Sequence, residues 1–228
     1  YSNYPRFNVH SEYADEAIKA GFDVFSLINN HTNDQFLPGI LSTYKYFTSK
    51  RAHDVYSAGI RMKESDEISY DIIECNGWRI LFCAITEILN DYRVLNRLDY
   101  FPPNKAGHDK LRTALENISK KHQHDLFVLS LHCNEPEYVL KVKESRKEYY
   151  RELLNCGVDI ISANHQHVMQ EWELLQNTKT GKTDKLIIYG LGNFVSGQRR
   201  NINLEKPDDI MEFIGDSIIM QAQLVWPL

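Results

Sequence analysis

Apolar residues change their spacing several times along this chain, and each change marks a predicted element. Over residues 13–20 the apolar positions Tyr13, Ala17, Ile18 and Ala20 fall among helix-forming residues, and Gly21 follows where a left-handed helix stop is expected. Residues 22–28 are a short, dense apolar and aromatic run, which predicts a buried strand. It breaks off into the polar run Asn29-Asn30-His31-Thr32-Asn33-Asp34. A helix over 37–47 and a short strand over 55–60 come next. Residues 71–75 and 78–85 then flank Asn76-Gly77, the dipeptide suited to a two-residue turn with positive φ at both positions, and predict a hairpin.

The alternation continues to the end of the chain. It predicts a helix over 108–121, a strand over 125–131 ending at His132, a helix over 145–156 stopped by Gly157, and a strand over 158–163 leading into Asn164-His165-Gln166-His167. Residues 177–184 read as a polar loop between two strands, 185–191 as a strand before Gly192-Asn193-Phe194, and 217–225 as an added edge strand. Strands alternating with helices define an α/β protein, and with no repeat, low-complexity tract or linker the expectation is one domain over 1–228.

Composition narrows the function classes. The chain has 228 residues, 43% hydrophobic and 25% charged, ordinary for a globular domain with one substantial core. Its net charge of -5 is spread over interspersed acids and bases, which argues against a nucleic-acid partner. No apolar run approaches the roughly 20 residues that span a bilayer. The chain begins at Tyr1 rather than Met with ten residues that read as loop, so further sequence is expected upstream. Cys75, Cys83, Cys133 and Cys156 have no paired spacing and are expected as free, mostly buried thiols without a catalytic role.

Four predicted strands end in groups of the metal-binding or hydrogen-bonding kind: Asn30 with His31, then His132, then His165 with His167, then Asn193. Ligands of open α/β sheets sit beyond the carboxyl ends of the strands, where these side chains can meet. Neutral imidazoles are common ligands of divalent transition metals, with amide or carboxylate oxygens completing the shell. On a loop leaving a strand, His165-x-His167 can address two neighbouring ions, as a two-metal hydrolytic centre requires. An imidazole such as His31 can protonate a leaving alkoxide, and Asp34, three residues on, can orient it. The remaining histidines, His10, His53, His108, His122 and His124, read as solvated. Asn193, Arg199 and Arg200 are placed to meet substrate, the two arginines receiving anionic groups, with a solvated basic pair as the plainer alternative.

At these residues the sequence resembles the calcineurin-like metallophosphoesterases, and within them the bacterial capsule-synthesis (CapA, poly-gamma-glutamate synthesis) family. Four ordered blocks carry the resemblance between about residues 13 and 198: Gly21-Phe22-Asp23 through Asn29-Asn30-His31 with Asp34; His132-Cys133-Asn134 with Glu137-Tyr138; Gly157-Val158-Asp159 through His165-Gln166-His167-Val168; and Tyr189-Gly190-Leu191-Gly192-Asn193-Phe194. The resemblance implies two facing sheets flanked by helices, truncated at the amino end. It implies that Asn30, His132 and His165 bind one ion of a manganese, iron or zinc pair, that His167 contributes to the other, and that His31 is the general acid. It further implies an anionic polymer or phosphoester substrate, capsule-biosynthesis partner proteins, and a bacterial, membrane-associated or extracytoplasmic setting supplied by upstream sequence.

The departures are specific. The family's opening Gly-Asp and Asn-x-Glu segments, which supply acidic ligands, are absent from this sequence, so one ion or none is expected here. Cys133 and Asn134 replace Trp-Gly, and Asn164 replaces a Gly. Two readings therefore stay open: a metal-dependent phosphoesterase-like hydrolase, and a non-catalytic module that binds polymer or a partner through a degenerate metal site.

Overall fold

The structure, a computed structural model, describes residues 1–64, 67–176, 183–196 and 210–225. Its elements are α1 (Ser11–Lys19), β1 (Val24–Ser26), α2 (Phe36–Lys50), β2 (Tyr56–Ala58), β3 (Tyr70–Cys75), β4 (Trp78–Thr86), α3 (Lys105–Lys121), β5 (Leu126–His132), α4 (Glu144–Leu154), β6 (Ile160–Asn164), β7 (Trp172–Gln176) and β8 (Thr183–Ile188). Six strands form one sheet in the order β3-β4-β5-β6-β8-β7, in which β4, β5, β6 and β8 run parallel and the edge strands β3 and β7 run antiparallel to their neighbours. β1 and β2 form a separate parallel pair.

The layers follow from strand alternation, since successive side chains point to opposite faces. Leu81, Cys83 and Ile85 of β4 and Phe127, Leu129 and Leu131 of β5 share a core with Leu111 and Leu115 of α3 and Tyr150 and Leu153 of α4. The intervening residues Phe82 and Ala84 face the other way and pack with Tyr56 and Ala58 of β2, Ile40 of α2 and Ile28. The protein is thus a six-stranded sheet with α3 and α4 on one face and the small sheet with α2 on the other, the expected two-sheet sandwich with flanking helices. The hairpin at Asn76-Gly77 also forms as expected, with φ of 51° and 83° at the two turn residues.

Several boundaries differ from the expected ones for identifiable reasons. The apolar run 22–28 yields only the three-residue β1, because Ile28 leaves the strand to fill the space between the sheets. β8 starts inside the predicted polar loop, where Thr183 pairs with Gln176 of β7; residues 177–182 lie outside those described. No strand forms over 217–225. Only Ser217 pairs, in a bridge to Gly192, because β7 already occupies that edge of the sheet. Three histidines expected in solvent are half-buried instead: His108 stacks on Tyr149 with ring centroids 3.8 Å apart, His122 packs on Tyr70 at 4.4 Å, and His124 sits against the His122 carbonyl oxygen at 2.7 Å. All four cysteines are free, with Cys75 exposed and the others buried.

Gly59 links this packing to the site. Its φ is +112°, and a Cβ there would lie 2.6 Å from Ile28 Cγ2, just before Asn29 and Asn30. Gly59→Ala is therefore expected to combine backbone strain with overpacking and cost about 3 kcal/mol, read as a lower urea midpoint at unchanged m-value.

Candidate functional site

The polar segments that follow β1, β4, β5, β6 and β8 converge. The register pairs Thr86 with His132 and His132 with Asn164, so the ends of three parallel strands are level. Behind them, Glu87 N–H donates to the His132 carbonyl oxygen at 2.9 Å, and the buried Glu87 carboxylate accepts from Arg146 Nη1 at 2.5 Å and from Asn134 N–H at 3.0 Å. Arg146 Nε also donates to Glu135 at 3.1 Å. This charged knot ties α4 and the loop after His132 to the end of β4, and pattern reading gave no sign of it.

His132 is the centre of the cluster. Its Nε2 lies 3.1 Å from Asn30 Oδ1, its Nδ1 contacts Asn164 Oδ1, and its ring centroid is 4.8 Å from that of His165. Both ring nitrogens thus face amide oxygens, whereas a neutral imidazole has one N–H to donate. Burial, reinforced by the neighbouring His165, pushes the His132 pKa down to about 3, so the ring is neutral at physiological pH. One of the two contacts must then set acceptor against acceptor. A cation beside Nε2 and Asn30 Oδ1 removes that conflict, leaving Nδ1–H on Asn164, the outer hydrogen bond that ligand histidines usually make. Asn164, a departure in the sequence, would then be that outer partner.

His165 fits the same demand. Its Nδ1 is buried with no hydrogen-bond partner among the described residues, and burial lowers its pKa. Its φ is +122°, and that of His167 is +60°. Gln166 between them turns inward, donating from Nε2 to Cys133 Sγ at 2.7 Å, which splits the two imidazoles. Burial raises the Cys133 pKa to about 11, so this residue is a thiol and a hydrogen-bonding prop rather than a nucleophile.

His167 stands apart, its ring 6.2 Å from that of His165. Its Nδ1 lies 2.9 Å from Asn193 Oδ1, its Nε2 is 3.9 Å from Glu137 Oε1, and its ring stacks on Tyr138 at 5.9 Å. Asn193 is held in turn by donating to the Ile214 carbonyl oxygen at 2.9 Å. No group of three or more His, Cys, Asp or Glu among the described residues is gathered so as to hold an ion. The donor set that does meet is Asn30, His132 and His165, and it suits a single ion; His167 and Glu137 are too few for a second. Arg199 and Arg200 lie outside the described residues.

His31 occupies the rim. Its Nδ1 lies 2.7 Å from Asp34 Oδ2, and the same carboxylate oxygen accepts the Phe7 N–H at 2.7 Å. The Phe7 ring packs edge-on against His31 at 4.6 Å, a contact with no signal in the sequence pattern. Asn90, also unforeseen, joins His31 to Asn30: its Nδ2 is 3.3 Å from the His31 ring nitrogens and its Oδ1 accepts from Asn30 Nδ2 at 3.3 Å. Beyond His31 a cavity of about 480 Å³ opens between the amino-terminal segment, α1 and α2.

The imidazoles and amides gather where the parallel strands of an α/β sandwich run out, the place where such sheets commonly bind ligands. Residues 1–198 match the family described as bacterial capsule synthesis protein PGA_cap, and the chain belongs to that family. It is 30% identical over 200 residues to the "Capsule biosynthesis protein CapA" of Bacillus anthracis, covering 84% of this chain and 45% of that protein. It is 26% identical over 195 residues to the "PGA biosynthesis protein CapA" of Bacillus subtilis (strain 168), covering 83% of this chain and 48% of that protein. The chain thus spans about half the length of the curated relatives it matches. The crystal structure of a hypothetical protein from Thermus thermophilus aligns to 83% of this chain and 62% of that one, at 14% identity with a TM-score of 0.48. No helix among the described residues is long and apolar enough to cross a membrane.

Proposed function

We propose that this chain is a metal-dependent, phosphoesterase-like hydrolase serving capsule or poly-gamma-glutamate biosynthesis. The observation that carries the reading is the unresolved acceptor pair of His132 Nε2 and Asn30 Oδ1 beside the partnerless Nδ1 of His165. These three side chains would hold one divalent ion of the manganese, iron or zinc kind; His167 and Glu137 alone would be too few for a second. When bound, such an ion activates water and neutralises charge developing on a phosphoryl group.

The chain's own residues supply the rest. Asp34 fixes the His31 ring by accepting at Nδ1, which leaves Nε2 to deliver its proton to the departing alkoxide oxygen, and the carboxylate stabilises the imidazolium before transfer. The Phe7 ring packs edge-on against His31 and helps hold it. The cavity beyond His31 gives the departing group room. Aromatic residues such as Phe25 and Tyr46 and the hydroxyls of Ser42 and Thr43 line it, without Lys or Arg among the described residues, which favours an uncharged leaving group over one bearing carboxylates.

The test is turnover of bis(p-nitrophenyl) phosphate with added manganese, alongside metal content, on the chain and on the full-length natural product. Manganese-dependent hydrolysis is expected, and His31→Asn should lower kcat about 100-fold with metal content unchanged. Absent turnover in both, with retained binding of poly-gamma-glutamate, would favour the other reading, a polymer-binding module with a degenerate metal site. The lack of an acidic residue among the three donors is what keeps that alternative in view.

A further inference from the structure

We propose that Asn90 is a positioning residue that holds the Asn30 amide with its carbonyl toward His132 Nε2, so that Asn30 presents an acceptor, not a donor, to a bound cation. The inference rests on the metal reading above and names a residue that neither the sequence motifs nor the family match assigns.

An asparagine side chain carries a donor end and an acceptor end of nearly the same shape, and only its neighbours decide which end points where. For Asn30 the neighbours are His132 on one side and Asn90 on the other. Asn30 Nδ2 donates to Asn90 Oδ1 at 3.3 Å, which turns Asn30 Oδ1 to within 3.1 Å of His132 Nε2. Rotating the Asn30 amide by half a turn would place Nδ2 against His132 Nε2. That arrangement satisfies the apoprotein better, because it replaces an acceptor pair by a hydrogen bond, yet it closes the site to a cation. Asn90 opposes it: after rotation two amide oxygens would face each other.

The orientation of Asn90 is fixed in turn. Its Nδ2 lies 3.3 Å from each His31 ring nitrogen and so sits over the face of the imidazole, which attracts the N–H end of the amide and repels its carbonyl oxygen, while Nδ1–H is donated to Asp34. The chain Asp34, His31, Asn90, Asn30 therefore has one polarity from end to end. Asn90 N–H also donates to the Asn30 carbonyl oxygen at 2.8 Å, a main-chain bond that any side-chain substitution keeps. The side chain of Asn90 is exposed, so its removal leaves no core cavity. Both facts separate the orienting role from a general structural one.

The experiment titrates Mn²⁺ by the electron paramagnetic resonance signal of the free ion, using wild type, Asn90→Ala, Asn90→Asp and His165→Gly. Asp keeps an acceptor for Asn30 Nδ2, whereas Ala does not. Expected are binding by Asn90→Asp at least as tight as wild type and binding by Asn90→Ala weakened about 10- to 100-fold, the usual effect of losing an outer-shell partner, with unchanged melting temperature. In metal-free, ¹⁵N-labelled Asn90→Ala, the Asn30 side-chain NH₂ protons should gain nuclear Overhauser contacts to the His132 ring that wild type lacks. Wild-type affinity in Asn90→Ala, or an unchanged contact pattern for the Asn30 NH₂, overturns the proposal. If wild type and His165→Gly bind Mn²⁺ equally weakly, the metal reading falls instead. The contact pattern, which needs no metal, then decides the orienting role alone.

Discussion

His165→Gly is expected to abolish measurable stabilisation by manganese while leaving the metal-free protein within about 1 kcal/mol of wild type. Deleting a buried ring normally costs more than that, but two features of this residue work in the opposite direction. Its Nδ1 is a buried group without a partner among the described residues, a condition worth roughly 1–3 kcal/mol against the folded state. Its φ of +122° adds strain of about 1–3 kcal/mol that glycine relieves. Against these stand the lost packing on His132 and the greater backbone freedom of glycine in the unfolded chain. With a divalent ion at about 100 times its Kd, wild type should gain about 2.7 kcal/mol and the variant nothing. Melting curves with manganese and with a chelator give both numbers. A variant that loses several kcal/mol without metal would show that His165 is a structural residue, and the site would lose one of its three donors.

The strain and the orphaned nitrogen lie on the residue that the sequence pattern marked, and this coincidence is informative. His132 and His165 were legible because each ends a dense apolar run, and a break from apolar to polar at the end of a parallel strand is a local signal. Asn30 and His31 were legible for the same reason. The partners that give those side chains their roles were not legible. Asn90 follows β4 by four residues in an unremarkable polar turn, and only the alignment of Thr86 with His132 brings it beside Asn30. Asn164 looked like a departure from a family pattern until strand register set its oxygen against His132 Nδ1. Glu87 and Arg146 each looked like a surface charge, and they meet because α4 packs across the sheet's parallel strands.

The half-buried histidines teach the same lesson in reverse. His108 and His122 sit at helix positions that read as solvated, and both are covered by tyrosines distant in sequence. Local polarity forecasts exposure only where no remote aromatic ring arrives. β1 shows the limit for strands: a seven-residue apolar run produced three paired residues, because the run's last member serves the core and not the sheet. Ligand-type residues were thus readable one at a time, whereas their orientation, protonation and pairing belong to tertiary contacts.

Acid should destabilise the metal-free protein through His132, with a sign and a window fixed by the site. The folded-state pKa of His132, held at about 3 chiefly by burial and then by the nearby His165, is lower than the roughly 6.5 of an unfolded histidine. Between those values the unfolded chain takes up a proton that the folded ring refuses. Stability therefore falls as pH drops through 6.5, and this contribution stops changing below about 3. From pH 7 to pH 5 the loss assigned to His132 is about 2 kcal/mol, and His165, whose pKa burial also lowers, adds in the same direction. Urea unfolding in chelator at both pH values, on wild type and His132→Gln, isolates the contribution, since the variant should lose about 2 kcal/mol less than wild type. Other titrating groups cancel in that difference. A difference near zero would mean that the folded ring takes up its proton as readily as an unfolded histidine and is an imidazolium at pH 5. Both amide oxygens would then be receiving hydrogen bonds from an imidazolium, the acceptor conflict between His132 Nε2 and Asn30 Oδ1 would vanish, and with it the strongest physical reason to place a cation there.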